Sequence, residues 1–140
     1  MSINMKDAKV YGILPYNNKE FQTNTIEKEW GWEYIIPGDE YTTKIMEVKP
    51  GFCCSLHFHR NKSETFVLVQ GILNIEYYES DSTKHTKKLT HPMSCVIIPS
   101  CTPHIFCTPK NQEFNTIFIE SSSIDDPNDS YRLTKSGYDE

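Results

Sequence analysis

The chain has no apolar run near the roughly 18 residues that a membrane-crossing helix requires. Residues 1–9 hold no apolar core of the kind that marks an export signal, so a soluble, cytoplasmic protein is expected. Long amphipathic helical patterns are missing, and so are the Gly-rich loops that cradle phosphates; only 6 glycines are present among 140 residues. No C-x-x-C pair occurs among the 5 cysteines, which removes the zinc ribbon and the thioredoxin-type centre. An odd cysteine count without an export signal predicts reduced thiols that pack as small apolar side chains. Positive charge is in short supply: 14 Lys and Arg stand against 19 Asp and Glu, a net charge of −5. Such a chain is poorly suited to a phosphate backbone, so no nucleic-acid partner is expected. Internal repeats and low-complexity tracts are absent as well.

What is present is strand-forming sequence in one domain's length. Aromatic residues make up 12% of the chain, enough apolar surface to order a core. Alternating, β-branched or aromatic stretches at 33–37, 41–48, 54–59, 64–70, 72–79, 84–89, 93–98, 104–107, 114–120 and 131–134 read as strands, with turn residues between them. Many short strands at this spacing predict an all-β antiparallel sandwich or barrel. Residues 1–29 lack strong periodicity and read as an N-terminal arm, with a short strand near 9–14; residues 30–140 form the domain.

One segment carries chemistry. His57 and His59 stand two apart, the spacing that puts both side chains on one face of a strand. After a short loop Glu64 opens the next strand. A third histidine, His104, follows the turn-rich sequence around Pro99 and Pro103. Three imidazoles and one carboxylate suit a single divalent ion of Mn, Fe, Co, Ni or Zn, with coordination positions left for substrate or water. His85 and His91 have no such context and read as surface residues.

The spacing Gly51-x5-His57-x-His59-x4-Glu64-x6-Gly71 resembles the first motif of the cupin superfamily at every position. The second motif of that superfamily is G-x5-P-x-G-x2-H-x3-N. Here it reads Met93-x5-Pro99-x-Cys101-x2-His104-x3-Thr108, with the proline and histidine kept and both glycines replaced, so an altered turn is expected before His104. The resemblance implies a cupin double-stranded β-helix, a jelly-roll barrel with the metal inside.

A narrower likeness lies in Trp30-Gly31-Trp32-Glu33-Tyr34, Val48-Lys49-Pro50-Gly51, Ser55-Leu56 and the stretch from Ile119 to Leu133. These segments are similar to the C-terminal cupin domain of type II mannose-6-phosphate isomerases. Two positions depart from that family: His57 stands where it usually has Gln, and Ile105 where it has Arg. Lys62 replaces a further Arg and keeps the charge.

The likeness implies a metal-dependent isomerase or epimerase acting on a small molecule, a sugar or sugar phosphate. Lys62 and Arg132 are the candidates for holding a phosphate or hydroxyl, although such cations are more often solvated surface residues. Tyr34, Tyr77 and Phe106 are candidates for lining the cavity. A three-His, one-Glu donor set also suits a metal-dependent dioxygenase, and a non-catalytic ligand-binding cupin is the third reading. A homodimer is expected from exposed edge strands and the arm.

Overall fold

The structure, a computed structural model, describes residues 8–21, 23–123, 125–134 and 137–138. It is almost entirely β, and every strand pairing is antiparallel. A small hairpin of β1 (Val10–Gly12) and β2 (Lys19–Phe21) stands apart as its own two-stranded sheet. The remaining strands are β3 (Asn24–Lys28), β4 (Gly31–Pro37), β5 (Tyr41–Val48), β6 (Phe52–Cys53), β7 (His57–Phe58), β8 (Glu64–Gln70), β9 (Leu73–Tyr78), β10 (Lys84–Leu89), β11 (Cys95–Ile98), β12 (His104–Cys107), β13 (Thr116–Ser123), β14 (Tyr131–Arg132) and β15 (Gly137–Tyr138). Six of them form one sheet in the order β11-β8-β13-β5-β4-β3. The facing sheet runs β10-β9-β12-β6-β15, with β7 beside β12 and β14 beside β7.

Alternation along the six-stranded sheet explains the core. On β13 and β5 the register sets Phe118 beside Met46 and Thr116 beside Val48, and Leu68 of β8 lies against Phe118. Leu73 and Ile75 of β9 and Phe106 of β12 meet them from the other sheet. Phe66, Phe106 and Phe118 form a triad with ring centroids 4.9 to 6.3 Å apart, the offset and edge-on arrangements that aromatic quadrupoles favour. Gly71 ends β8 with φ +83°, and a Cβ there would meet Thr116 Oγ1 at 2.5 Å, so this turn takes only glycine without strain.

Most expected strands are present within a residue or two, but three local readings change. Asn24–Lys28, inside the segment read as an arm, is the edge strand of the six-stranded sheet and pairs with β4. Four of its five residues are exposed, so it carries no hydrophobic alternation to announce it. The expected strand at 54–59 is reduced to the short β7, with Cys54–Leu56 separating it from β6, which lies before the expected start. The cysteine reading is corrected: Cys53 and Cys107 form a disulfide, leaving Cys54, Cys95 and Cys101 free. Pairing of β6 with β12 puts these two residues directly opposite, with Cα atoms 4.2 Å apart, well inside the ~7 Å reach of a disulfide.

Both replaced glycines of the second motif keep a glycine-like backbone. Met93 has φ +72° and Cys101 φ +65°. The residues before His104 have therefore changed while the left-handed turns remain, and Cys101 N–H still donates to the His59 carbonyl at 2.6 Å.

Candidate metal centre

His104 opens β12 and lies in register with His57 on β7; His59 follows β7, and Glu64 opens β8 in the opposite sheet. The three ring centroids are 4.5 to 5.9 Å apart, and the ligand atoms of the histidines lie within 4.8 Å of one another. The structure thus brings together all four residues that the spacing had singled out. A strand carrying both His57 and His59 is not required for this, because the short β7 and the residue after it keep the alternation.

Each imidazole is oriented by a backbone carbonyl. His57 Nδ1 is 2.7 Å from the Ser55 carbonyl, His59 Nδ1 is 2.7 Å from that of Asp129, and His104 Nδ1 is 2.8 Å from that of Thr102. A carbonyl only accepts, so each Nδ1 must carry the proton and donate it. In the neutral ring the other nitrogen, Nε2, is then a bare lone pair, the form in which histidine ligates metals.

Glu64 makes the arrangement chemically demanding. Its Oε1 lies 2.9 Å from His59 Nε2 and its Oε2 lies 3.5 Å from His104 Nε2. Both carboxylate oxygens and His104 Nε2 are buried without a well-aligned hydrogen bond. Lone pairs at such separations repel unless a proton or a cation sits between them. A divalent cation satisfies the carboxylate and the three imidazoles at once, so the donor set fits a borderline transition metal.

The electrostatics follow from burial and this crowding. Burial, then the neighbouring His104, pushes His57 down to about 3. Burial also works against charging His59, but its contact with Glu64 outweighs that and raises it above the ordinary imidazole value. Glu64 is opposed by burial as well, yet His104, His59 and Lys62 hold its carboxyl well below the usual range. Burial pushes the free thiol of Cys54, in the cavity wall, far above its ordinary value.

The site opens on a cavity of about 470 Å³ inside the barrel. Lys62 is buried at its edge rather than solvated, with Nζ 2.9 Å from Asp125, 3.2 Å from Glu64 and 3.3 Å from Glu120. Burial alone would lower Lys62, but the charges of Glu120, Glu64 and Asp125 raise it above the ordinary lysine value. Arg132, the other candidate cation, is exposed at the cavity rim on β14. Phe106 lines the cavity as expected, whereas Tyr77 stacks on His85 along an outer groove and Tyr34 does not line the cavity.

Five further residues complete the site, and they were not singled out from the sequence. Lys44 bridges Glu33 at 3.2 Å and Asp125 at 3.3 Å, and Glu120 is buried beside Lys62. Burial, then the charge of Glu64, pushes Glu120 up to about 7. The available signal was parity: Lys44 and Glu120 occupy inward positions of β5 and β13, in register with each other. Asp129 acts differently. Its carboxylate accepts from the backbone N–H groups of Arg60, Asn61 and Lys62 at 2.9 to 3.1 Å, while its carbonyl holds His59. One residue thus fastens both the loop between the ligands and one ligand ring.

Two antiparallel sheets closed around a histidine cluster, with glycine or glycine-like turns at the motif positions, define a cupin. The mannose-6-phosphate isomerase C-terminal family matches residues 16–135, and the chain belongs to that family. It is 32% identical over 136 residues to a mannose-1-phosphate guanylyltransferase from Salmonella muenchen, covering 93% of this chain and 27% of that protein. This chain therefore spans about a quarter of that relative. Among solved structures, the capsular polysaccharide assembling protein CapF from Staphylococcus aureus superposes with a TM-score of 0.72 at 20% identity, over 86% of this chain and 37% of that one. An oxalate decarboxylase variant from Bacillus subtilis superposes with a TM-score of 0.70 at 15% identity, over 79% and 30%. Both likenesses concern the fold.

Proposed function

We propose that the chain is a metal-dependent cupin that isomerises or epimerises a sugar or sugar phosphate, with His57, His59, His104 and Glu64 holding one divalent ion. The observation that carries this is the convergence of three imidazoles, each with Nδ1 committed to a carbonyl, on a buried carboxylate that lacks an aligned donor. Zn, Mn, Fe, Co or Ni would serve, supplying a Lewis acid that polarises a substrate carbonyl or hydroxyl oxygen. Family membership supports the sugar chemistry.

The chain's own residues would do the rest. Glu120 is buried in the cavity wall and pushed up to about 7, matched to taking and returning a proton near neutrality. Lys62 would hold Glu120 and Glu64 apart and orient both. Phe66 and Phe106 would exclude water from the inner wall. We also propose a homodimer joined through the unpaired edges of β3 or β11; a single-chain mass in solution would overturn it.

The same donor set supports a dioxygenase as a second reading. Metal content of protein purified without added metal, followed by turnover assays in air and under argon, separates the two. Isomerisation of a hexose or its phosphate under argon supports the first. Turnover only with oxygen replaces it with the second, and a metal-bound protein without turnover would leave a ligand-binding cupin.

A further inference from the structure

We infer that the cavity selects an uncharged polyhydroxyl sugar and discriminates against its phosphate ester, an inference that rests on the sugar reading above. Among the described residues, seven carboxylates line the cavity against four cations. Glu27, Glu29, Asp126 and Arg132 are exposed, and the buried or half-buried set is Glu33, Glu64, Glu120 and Asp125 against Lys28, Lys44 and Lys62, so no inner cation is in excess. A phosphate needs unpaired donors and positive potential, and the side chains of the interior offer neither.

The inner cations are already committed. Lys44 is held by Glu33 and Asp125, Lys62 by Glu64, Glu120 and Asp125, and Lys28 by Glu33 at 3.3 Å. To bind a phosphate, either buried lysine would have to leave carboxylates stranded in a low-dielectric wall. Arg132 is exposed at the rim, where water screens its charge, and Asp126 lines the same cavity. Ile105 contributes no charge on β12 beside His104.

Sugar hydroxyls face no such penalty. A hydroxyl both donates and accepts, so it can give hydrogen bonds to spare carboxylate lone pairs and take them from ammonium groups without breaking the ion pairs. The mixed wall of Lys44, Glu33 and Glu120 suits adjacent hydroxyls.

The test is calorimetric titration of the full chain, metal-free and zinc-loaded, with mannose, mannose 6-phosphate and inorganic phosphate. Mannose should bind, with its 6-phosphate weaker by about tenfold or more and inorganic phosphate weaker still, because like charges across a desolvated contact are costly. Asp126→Asn should narrow the gap by strengthening the ester relative to mannose. A 6-phosphate that binds more tightly than mannose overturns this inference and leaves the sugar reading standing. Binding of neither compound overturns both, while metal analysis of His104→Ala still judges the metal site by itself.

Discussion

Strand β13 crosses two environments in one step. Phe118 is fully buried among Phe66, Phe106 and Met46, and Glu120, two residues on and facing the same way, sits among Lys62, Lys44 and Glu64. The strand is regular through both, and the same alternation selects both inward positions. The apolar half gains stability from area removed from water, without directional demands. The charged half offsets a desolvation cost with paired charges, and such pairs seldom add net stability. One end of this barrel holds the fold and the other is available for chemistry.

The largest effect should come from the apolar half. Phe118→Ala empties the centre of the aromatic triad and should cost about 3–5 kcal/mol in denaturant unfolding, while whatever remains folded still binds metal. His104→Ala should do the reverse: stoichiometric metal disappears from elemental analysis while the barrel stays folded. His59→Ala should behave the same way, and His91→Ala should leave metal content unaltered. If His104→Ala unfolds the protein as severely as Phe118→Ala, the division between the halves fails.

Asp129→Ala sharpens the boundary, because it touches no metal yet fastens the loop before Glu64. It should weaken metal affinity about 10-fold, because the loop leading to Glu64 loses its anchor while the backbone carbonyl that orients His59 is kept, with little change in circular dichroism.

The pH dependence of the metal-free protein includes a contribution from His57. Its folded value, about 3, lies below the ordinary 6.5, so between these values the unfolded chain binds the extra proton. Stability should therefore fall as pH drops from about 6.5 toward 3. His57→Gln should flatten that slope in denaturant titrations across the range; an unchanged slope would place the charge sensitivity elsewhere. The smallest effect should come from outside the comparison. Met93→Gly, at an exposed left-handed position, should raise stability by up to about 1 kcal/mol, since relief of backbone strain is partly offset by a more flexible unfolded chain.

Much of the fold was legible because period-two alternation reports burial directly. β5, β8 and β13 each bury a clear inward face, and their strands were located within three residues at either end. β3 escaped because an exposed edge strand has no face to bury, and its backbone pairing with β4 is independent of its side chains. The candidate ligands were legible for another reason: His57, His59 and Glu64 are set by local spacing at β7 and the start of β8, and His104 was marked by the turn-rich sequence before it, although only its pairing with β7 brings it to the others. Lys44, Glu120 and Asp129 were not, since their roles depend on strands and a loop that are distant in sequence.

The sequence by itself determined the strand periodicity, the four candidate ligands and the acidic balance of the chain, because each is written in residue type and short-range spacing. Only the tertiary structure decided the disulfide, the burial of Lys62 and the pairing of nearly every inner cation. Those depend on register between strands far apart in the chain: Cys53 meets Cys107 across 54 residues, and Lys62 meets Glu120 across 58. Register is settled by the whole barrel closing on its apolar half, and no local pattern encodes it.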